Sequence, residues 1–173
     1  MKILLIAAIC MFAFAGIAVA QNKSVYTSTK TSACRTIESS TEGDGSYEAE
    51  CSGVGGYKVH LLEGDIRQTL NIITPAKKKF ELNFWYIYSG FSSIGEKIEW
   101  RTTAGVPVAL IARYNVASGD DSKKSTSYLM VSKIGKTSSC VVDVIMPGTN
   151  QNANARKSAD TASTKACRKT GTE

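Results

Sequence analysis

The sequence predicts a mainly β domain of the α+β kind: an antiparallel sheet curled as a barrel or a two-layer sandwich, with one C-terminal helix packed on it. Three observations carry that reading. Runs of alternating or continuously apolar residues recur between turns rich in Gly, Pro, Asn and Asp. After the N-terminal segment the cysteines form an even set, Cys34, Cys51, Cys140 and Cys167. One late segment, 150–166, repeats Ala155, Ala159, Ala162 and Ala166 at helical steps.

The chain opens with Lys2, an apolar run from Ile3 to Val19 and the small-residue exit Ala18-Val19-Ala20 before Gln21. That order is expected of a cleavable secretory signal over residues 1–20. The run approaches the length of a membrane anchor, but the exit sequence and the abrupt polar switch at Gln21-Asn22-Lys23-Ser24 favour cleavage. Cys10 follows Ile9, where a lipid-attachment signal needs a small residue, so it is read as part of the removed segment. Removing Lys2 from the formal charge of +6 leaves +5 on residues 21–173, which suit one domain with its own core. No later apolar run reaches membrane-spanning length.

Residues 21–33 read as a polar lead, and the β-rich domain is placed at 34–173. Arg35 to Glu38 and Ser46 to Glu50 flank a Gly/Asp turn, and folding the chain about Glu42 and Gly43 sets Cys34 opposite Cys51. That pairing leaves Cys140 for Cys167. Two disulfides fit export to an oxidising compartment, whereas a metal site would need free thiolates and a ligand spacing that is absent.

Tyr57 to Glu63 alternates, with Val59 and Leu61 on one side and Lys58 and His60 on the other. Ile66 to Ile73 fits either helix or strand spacing and is taken as a strand. Phe80, Leu82, Phe84, Tyr86 and Tyr88 alternate with polar residues, which predicts the clearest strand of the chain. Ser89 to Gly95 is a loop. Strands follow at Glu96 to Thr103, Val106 to Val116, Thr126 to Ile134 and Cys140 to Met146, and Pro147-Gly148 stops the last. The helix over 150–166 would then be clamped to its preceding strand by Cys140 and Cys167.

Chemistry is sparse. His60 is the only histidine and sits on a polar strand face, so Ser-His-Asp and Cys-His mechanisms depend on one solvated residue. The glycines of Gly53-Val54-Gly55-Gly56 lack the setting of a phosphate loop and serve a turn. Asp120-Asp121 falls short of a calcium cage. Asp143 lies in an apolar run, on the face of Val141 and Ile145 if that run is a regular strand. It is expected to pair with Arg101 or Arg113, and the rival reading makes it a proton donor with Glu99 or Glu81 in a carboxylate-based hydrolase. Trp85, Tyr86, Tyr88, Phe91 and Trp100 flank the loop Ser89 to Gly95 and are the candidate ligand-binding residues, against the alternative that they are simply core. No catalytic residue, cofactor or metal ligand is assigned.

Residues 31–63 carry six acids against Arg35 and Lys58, a charge of −4, while the rest of residues 21–173 carries +9. This asymmetry serves solubility or steers a charged partner. Nucleic acid is not an expected partner, because no dense basic and aromatic motif is present.

The segments Gly53-Val54-Gly55-Gly56-Tyr57, Glu63-Gly64-Asp65-Ile66-Arg67-Gln68, Gly90-Phe91-Ser92-Ser93-Ile94-Gly95 with Glu99-Trp100-Arg101, and Pro147-Gly148-Thr149-Asn150-Gln151-Asn152-Ala153 resemble uncharacterised small exported proteins of alphaproteobacteria, many of them from rhizobia. The resemblance spans nearly all of residues 21–173. It implies a Gram-negative periplasm, or secretion from it, and no activity. The expected function is a non-catalytic binding module of the cell envelope, a monomer, whose partner is an envelope protein, a glycan or a small ligand. A small β-barrel carrying an apolar ligand is a further alternative and predicts a cavity near Trp85 and Trp100.

Overall fold

The computed structural model describes residues 21–43, 45–119 and 121–169, with the side chains of 121–123 left aside. The expected signal segment, Cys10 and Asp120 lie outside the described residues, and the side chain of Asp121 is among those left aside. Ten strands form one sheet: β1 (Lys23–Ser28), β2 (Cys34–Ser40), β3 (Ser46–Ser52), β4 (Lys58–Gly64), β5 (Arg67–Ile73), β6 (Lys79–Glu81), β7 (Ser92–Thr103), β8 (Val106–Ser118), β9 (Asp121–Lys133) and β10 (Cys140–Ile145). Among the described residues one α-helix, α1 (Gln151–Asp160), follows them.

The strands run β10-β9-β8-β7-β5-β4-β3-β2, with β1 added to β7 and β6 to β5. The path narrows between β5 and β7 to a single parallel pair, Arg67 with Ser92. There the sheet folds over. Val59, Leu61, Leu70 and Ile72 from one half pack in the same cluster as Ile98, Trp100, Leu110, Tyr114 and Met130 from the other. The sheet does not close into a barrel, so the two-layer sandwich is the alternative that holds.

The outer face of β8, β9 and β10 builds a second core against α1. Ala109, Ile111, Leu129, Val131 and Val142 meet Ala155, Ala159 and Ala162, all nearly inaccessible to solvent. The small alanine side chains let the helix lie close on the sheet. The helix is shorter than expected: it ends at Asp160, and a 3-10 turn, Ala162–Thr164, carries the alanine stripe one step further. Lys165 is extended, so Ala166 leaves the stripe and is exposed. Arg168 N–H then donates to the Val141 carbonyl at 2.8 Å, and Cys167 reaches Cys140. Both expected disulfides are present, Cys34 with Cys51 and Cys140 with Cys167.

Two expectations need correction. The alternating aromatics from Phe80 to Tyr88 do not form one strand. Pairing with β5 stops at Glu81, Asn83 turns into the left-handed region at φ 51°, and Phe84–Tyr86 is a 3-10 turn. The Thr69 hydroxyl accepts the Phe84 N–H at 2.9 Å, which bends the chain so that Leu82 and Phe84 both enter the core. The polar lead is largely strand: Lys23–Ser28 pairs along β7 from Lys97 to Thr102. Its polar side chains cap buried groups, since Thr27 accepts from the Trp100 indole at 2.8 Å and Ser24 accepts from Arg101.

Candidate functional site

The five aromatic positions singled out in the sequence do not converge. Trp100 is fully buried and packs against Tyr57 with ring centroids 6.4 Å apart. Tyr88 stacks on Tyr128 at 4.2 Å, and burial followed by the neighbouring Tyr128 raises its phenol pKa. Trp85 lies edge-on to Tyr86, whose side chain is about half exposed. Phe91, also half exposed, borders a shallow hollow with Ile66 at the end of the sandwich where β4 turns into β5.

A more coherent site lies at the opposite end, where four turns meet. Gly55, Tyr57, Pro75, Ala76, Val106 and Pro107 wall a hollow of about 320 Å³, with Lys136 at its rim. Strand pairing dictates this convergence. The turns β3–β4, β5–β6, β7–β8 and β9–β10 all fall at one end, and apolar residues occupy turn positions that are usually polar. The glycines fit closely: a Cβ on Gly55 would approach the Pro107 ring at 3.2 Å and one on Gly56 would approach Pro75 at 3.4 Å, and both have positive φ. Ala104 and Lys77 also hold the left-handed conformation, which costs an ordinary residue about 1 kcal/mol. Val106 is 56 % exposed, so the hollow is open. Its inner wall, Tyr57, is fixed from behind by Trp100, and a Cβ at Gly53 would strike both the Tyr57 carbonyl and the Trp100 ring. Trp100 therefore supports this site through Tyr57 rather than lining a pocket itself.

Lys136 at the rim and Lys77, next to Ala76 in the β5–β6 turn, have no carboxylate partner among the described residues. Lys78 Nζ caps the Thr137 carbonyl at 3.3 Å and lies over the Phe80 ring. The rim is cationic.

Charged side chains gather separately where α1 crosses the sheet. Arg156 donates to Glu99 at 2.7 and 3.2 Å, and Arg101 donates to both carboxylate oxygens of Asp160 at 2.8 and 3.0 Å. Asp143 accepts from the Ser158 hydroxyl at 2.7 Å and from Lys165 at 3.1 Å. Its expected partners, Arg101 and Arg113, are thus replaced. A bulge in β10 between Val141 and Asp143 sets Asp143 on the helix face, which Arg101 and Arg113 share, but β9 separates β10 from β8 and β7, and Asp160 and Gln151 of the helix take up the two arginines. Val141 and Val144 face the sandwich interior, Val142 and Ile145 face the helix, and Asp143 is turned toward the helix with them.

Burial pushes the Asp143 and Glu99 carboxyls up, but their hydrogen bonds and facing cations outweigh it and hold both below the usual carboxylate range. Both are therefore ionised at neutral pH, which is the wrong form for a proton donor. Glu81 is exposed beside Lys79. His60 Nε2 lies 3.2 Å from Glu48, an ion-pair contact without hydrogen-bond geometry. The four cysteines of the described residues are all in disulfides.

No helix among the described residues is long and apolar enough to cross a membrane. No protein-family model, curated protein or solved structure matches the chain.

Proposed function

We propose that this chain is exported and acts as a non-catalytic binding module of the cell envelope, taking an apolar side chain from an acidic segment of a partner protein into the turn-built hollow. The observation that carries the reading is the open hollow of Tyr57, Pro75, Val106 and Pro107, bordered by Lys136 and followed in the Pro75-Ala76 turn by Lys77, neither with an acidic partner among the described residues. An exposed apolar depression on a rigid sheet end suits recognition, and an unneutralised cationic rim selects a negatively charged surround. Two disulfides support export, because such bonds persist in an oxidising compartment such as a periplasm.

Selection of a random peptide display library on the immobilised protein tests the reading. The expected peptides carry an apolar residue flanked by Asp or Glu, and Val106→Asp abolishes their binding. Peptides without acidic flanks, or equal binding by Val106→Asp, would contradict it. Native mass spectrometry covers the carrier alternative: a reproducible extra mass released by denaturation would replace a protein partner with a small apolar ligand.

A further inference from the structure

A second cavity, of about 270 Å³, opens on the other face of β7, β8 and β9 beside the first turn of α1. Three cations border it, Lys97, Arg113 and Arg156, against one carboxylate, Glu99. Arg156 is committed to Glu99 and to the Tyr26 hydroxyl, which it meets at 3.1 Å. Arg113 donates only to neutral acceptors, Ser127 Oγ at 2.8 Å and Gln151 Oε1 at 3.3 Å. Lys97 lies 5.6 Å from the Tyr26 ring centroid and has no carboxylate partner among the described residues.

Two uncompensated cations on neighbouring strands of the same face repel each other, an arrangement that costs stability unless an anion lies between them. Nothing in the first turn of α1 offsets them. That turn has no acidic residue, the Asn150 side chain does not cap it, and the positive end of the helix dipole adds to the potential on the Asn152 side of the cavity. Below this polar rim, Ile111 and Leu129 give an apolar floor, each only 4 % exposed.

We infer that this cavity binds a small organic anion, its carboxylate or phosphate head between Lys97 and Arg113 and its short apolar body on Ile111 and Leu129. The site is distinct from the turn-built hollow and does not depend on it. An anionic head draws charge-assisted hydrogen bonds from both cations, and the apolar floor favours a ring or short chain over a bare inorganic ion. Raising salt weakens the complex through screening.

Isothermal titration of the mature protein at low ionic strength, with benzoate, phenyl phosphate, inorganic phosphate and neutral benzyl alcohol, tests the site. Benzoate or phenyl phosphate is expected to bind more tightly than inorganic phosphate, and benzyl alcohol is expected not to bind. Lys97→Gln, an exposed position that leaves the core untouched, should weaken the organic anion by about tenfold. Lys79→Gln, far from the cavity in sequence and paired with Glu81, should leave it unchanged. Absence of anion binding, equal binding of benzyl alcohol, or an unchanged affinity in Lys97→Gln would each overturn the inference. Vesicles containing phosphatidylglycerol distinguish a lipid source of the same headgroup chemistry: Lys97-dependent vesicle binding without binding of the free anions would overturn a free ligand.

Discussion

Glu99 on β7 and Arg156 on α1 are joined by two hydrogen bonds of 2.7 and 3.2 Å across the seam where the helix meets the sheet. Arg101, two positions along β7, is held by Asp160, about one turn further along the same helix. The helix is thus tied to one strand at two points, and Asp143 ties its last turns to β10 through Ser158 and Lys165.

These ties make stability depend on acid. Glu99 and Asp143 sit below their unfolded values of 4.5 and 3.8, so the unfolded chain takes up protons first as pH falls. Their contribution is complete above about pH 6 and is lost as pH drops through those values and then through the lower folded ones. Thermal unfolding should have a flat midpoint from neutral down to about pH 6 and a steep fall below about pH 4.5, shallower in Glu99→Gln/Asp143→Asn. At neutral pH, Glu99→Gln should cost about 2 kcal/mol because it leaves Arg101 and Arg156 facing no formal charge at that position. An equal midpoint at pH 3 and pH 7 would contradict the arrangement.

The Cys140–Cys167 bridge spans 27 residues and holds the tail beyond Lys165. Replacing both cysteines with serine should cost about 3 kcal/mol. Amide exchange read by mass spectrometry should quicken over 151–165 more than over β4 and β5.

Gly53→Ala probes the wall of the hollow. The added methyl would lie 2.6 Å from the Tyr57 carbonyl oxygen and 2.8 Å from the Trp100 ring. A loss of about 2 kcal/mol in urea unfolding is expected, with altered tryptophan emission as the ring is displaced. Unchanged stability would mean that Tyr57 is not fixed in this way.

Ile66 occupies the two-residue turn between β4 and β5 with φ 55°, and its neighbour Asp65 has φ 51°. A β-branched residue is strained there, and its side chain is 59 % exposed. Ile66→Asn should stabilise the protein by about 1 kcal/mol in the same unfolding experiment.

Much of this architecture was legible because the physical signals were local. The Cys34–Cys51 pair followed from folding a short hairpin about its turn, and β4 from the alternation of Val59 and Leu61 with Lys58 and His60. What was hidden depended on contacts distant in sequence. β1 has no apolar alternation, because its work is backbone pairing and polar capping of Trp100 and Arg101. The Phe80 to Tyr88 run mimics a strand, and only the Thr69 hydroxyl and the left-handed Asn83 reveal the bend. The partners of Asp143 were hidden because the strand order puts β9 between β10 and the strands of Arg101 and Arg113, while the helix supplies Asp160 and Gln151 to those arginines and Ser158 to Asp143. The hollow was invisible for a similar reason: Pro75 sits in the β5–β6 turn while Val106 and Pro107 open β8, and only the strand order brings them together.

The central claim, a turn-built hollow that grips an apolar group within an acidic segment, is tested most directly by amide NMR of the isotope-labelled protein. The titrant is a synthetic peptide with one leucine flanked by glutamates. Saturating shifts confined to Gly55, Tyr57, Ala76, Gly105, Val106 and Lys136, and lost in Val106→Asp, are the predicted result. Shifts that never saturate, or that centre on Phe91 and Ile66 at the other end of the sandwich, would contradict it.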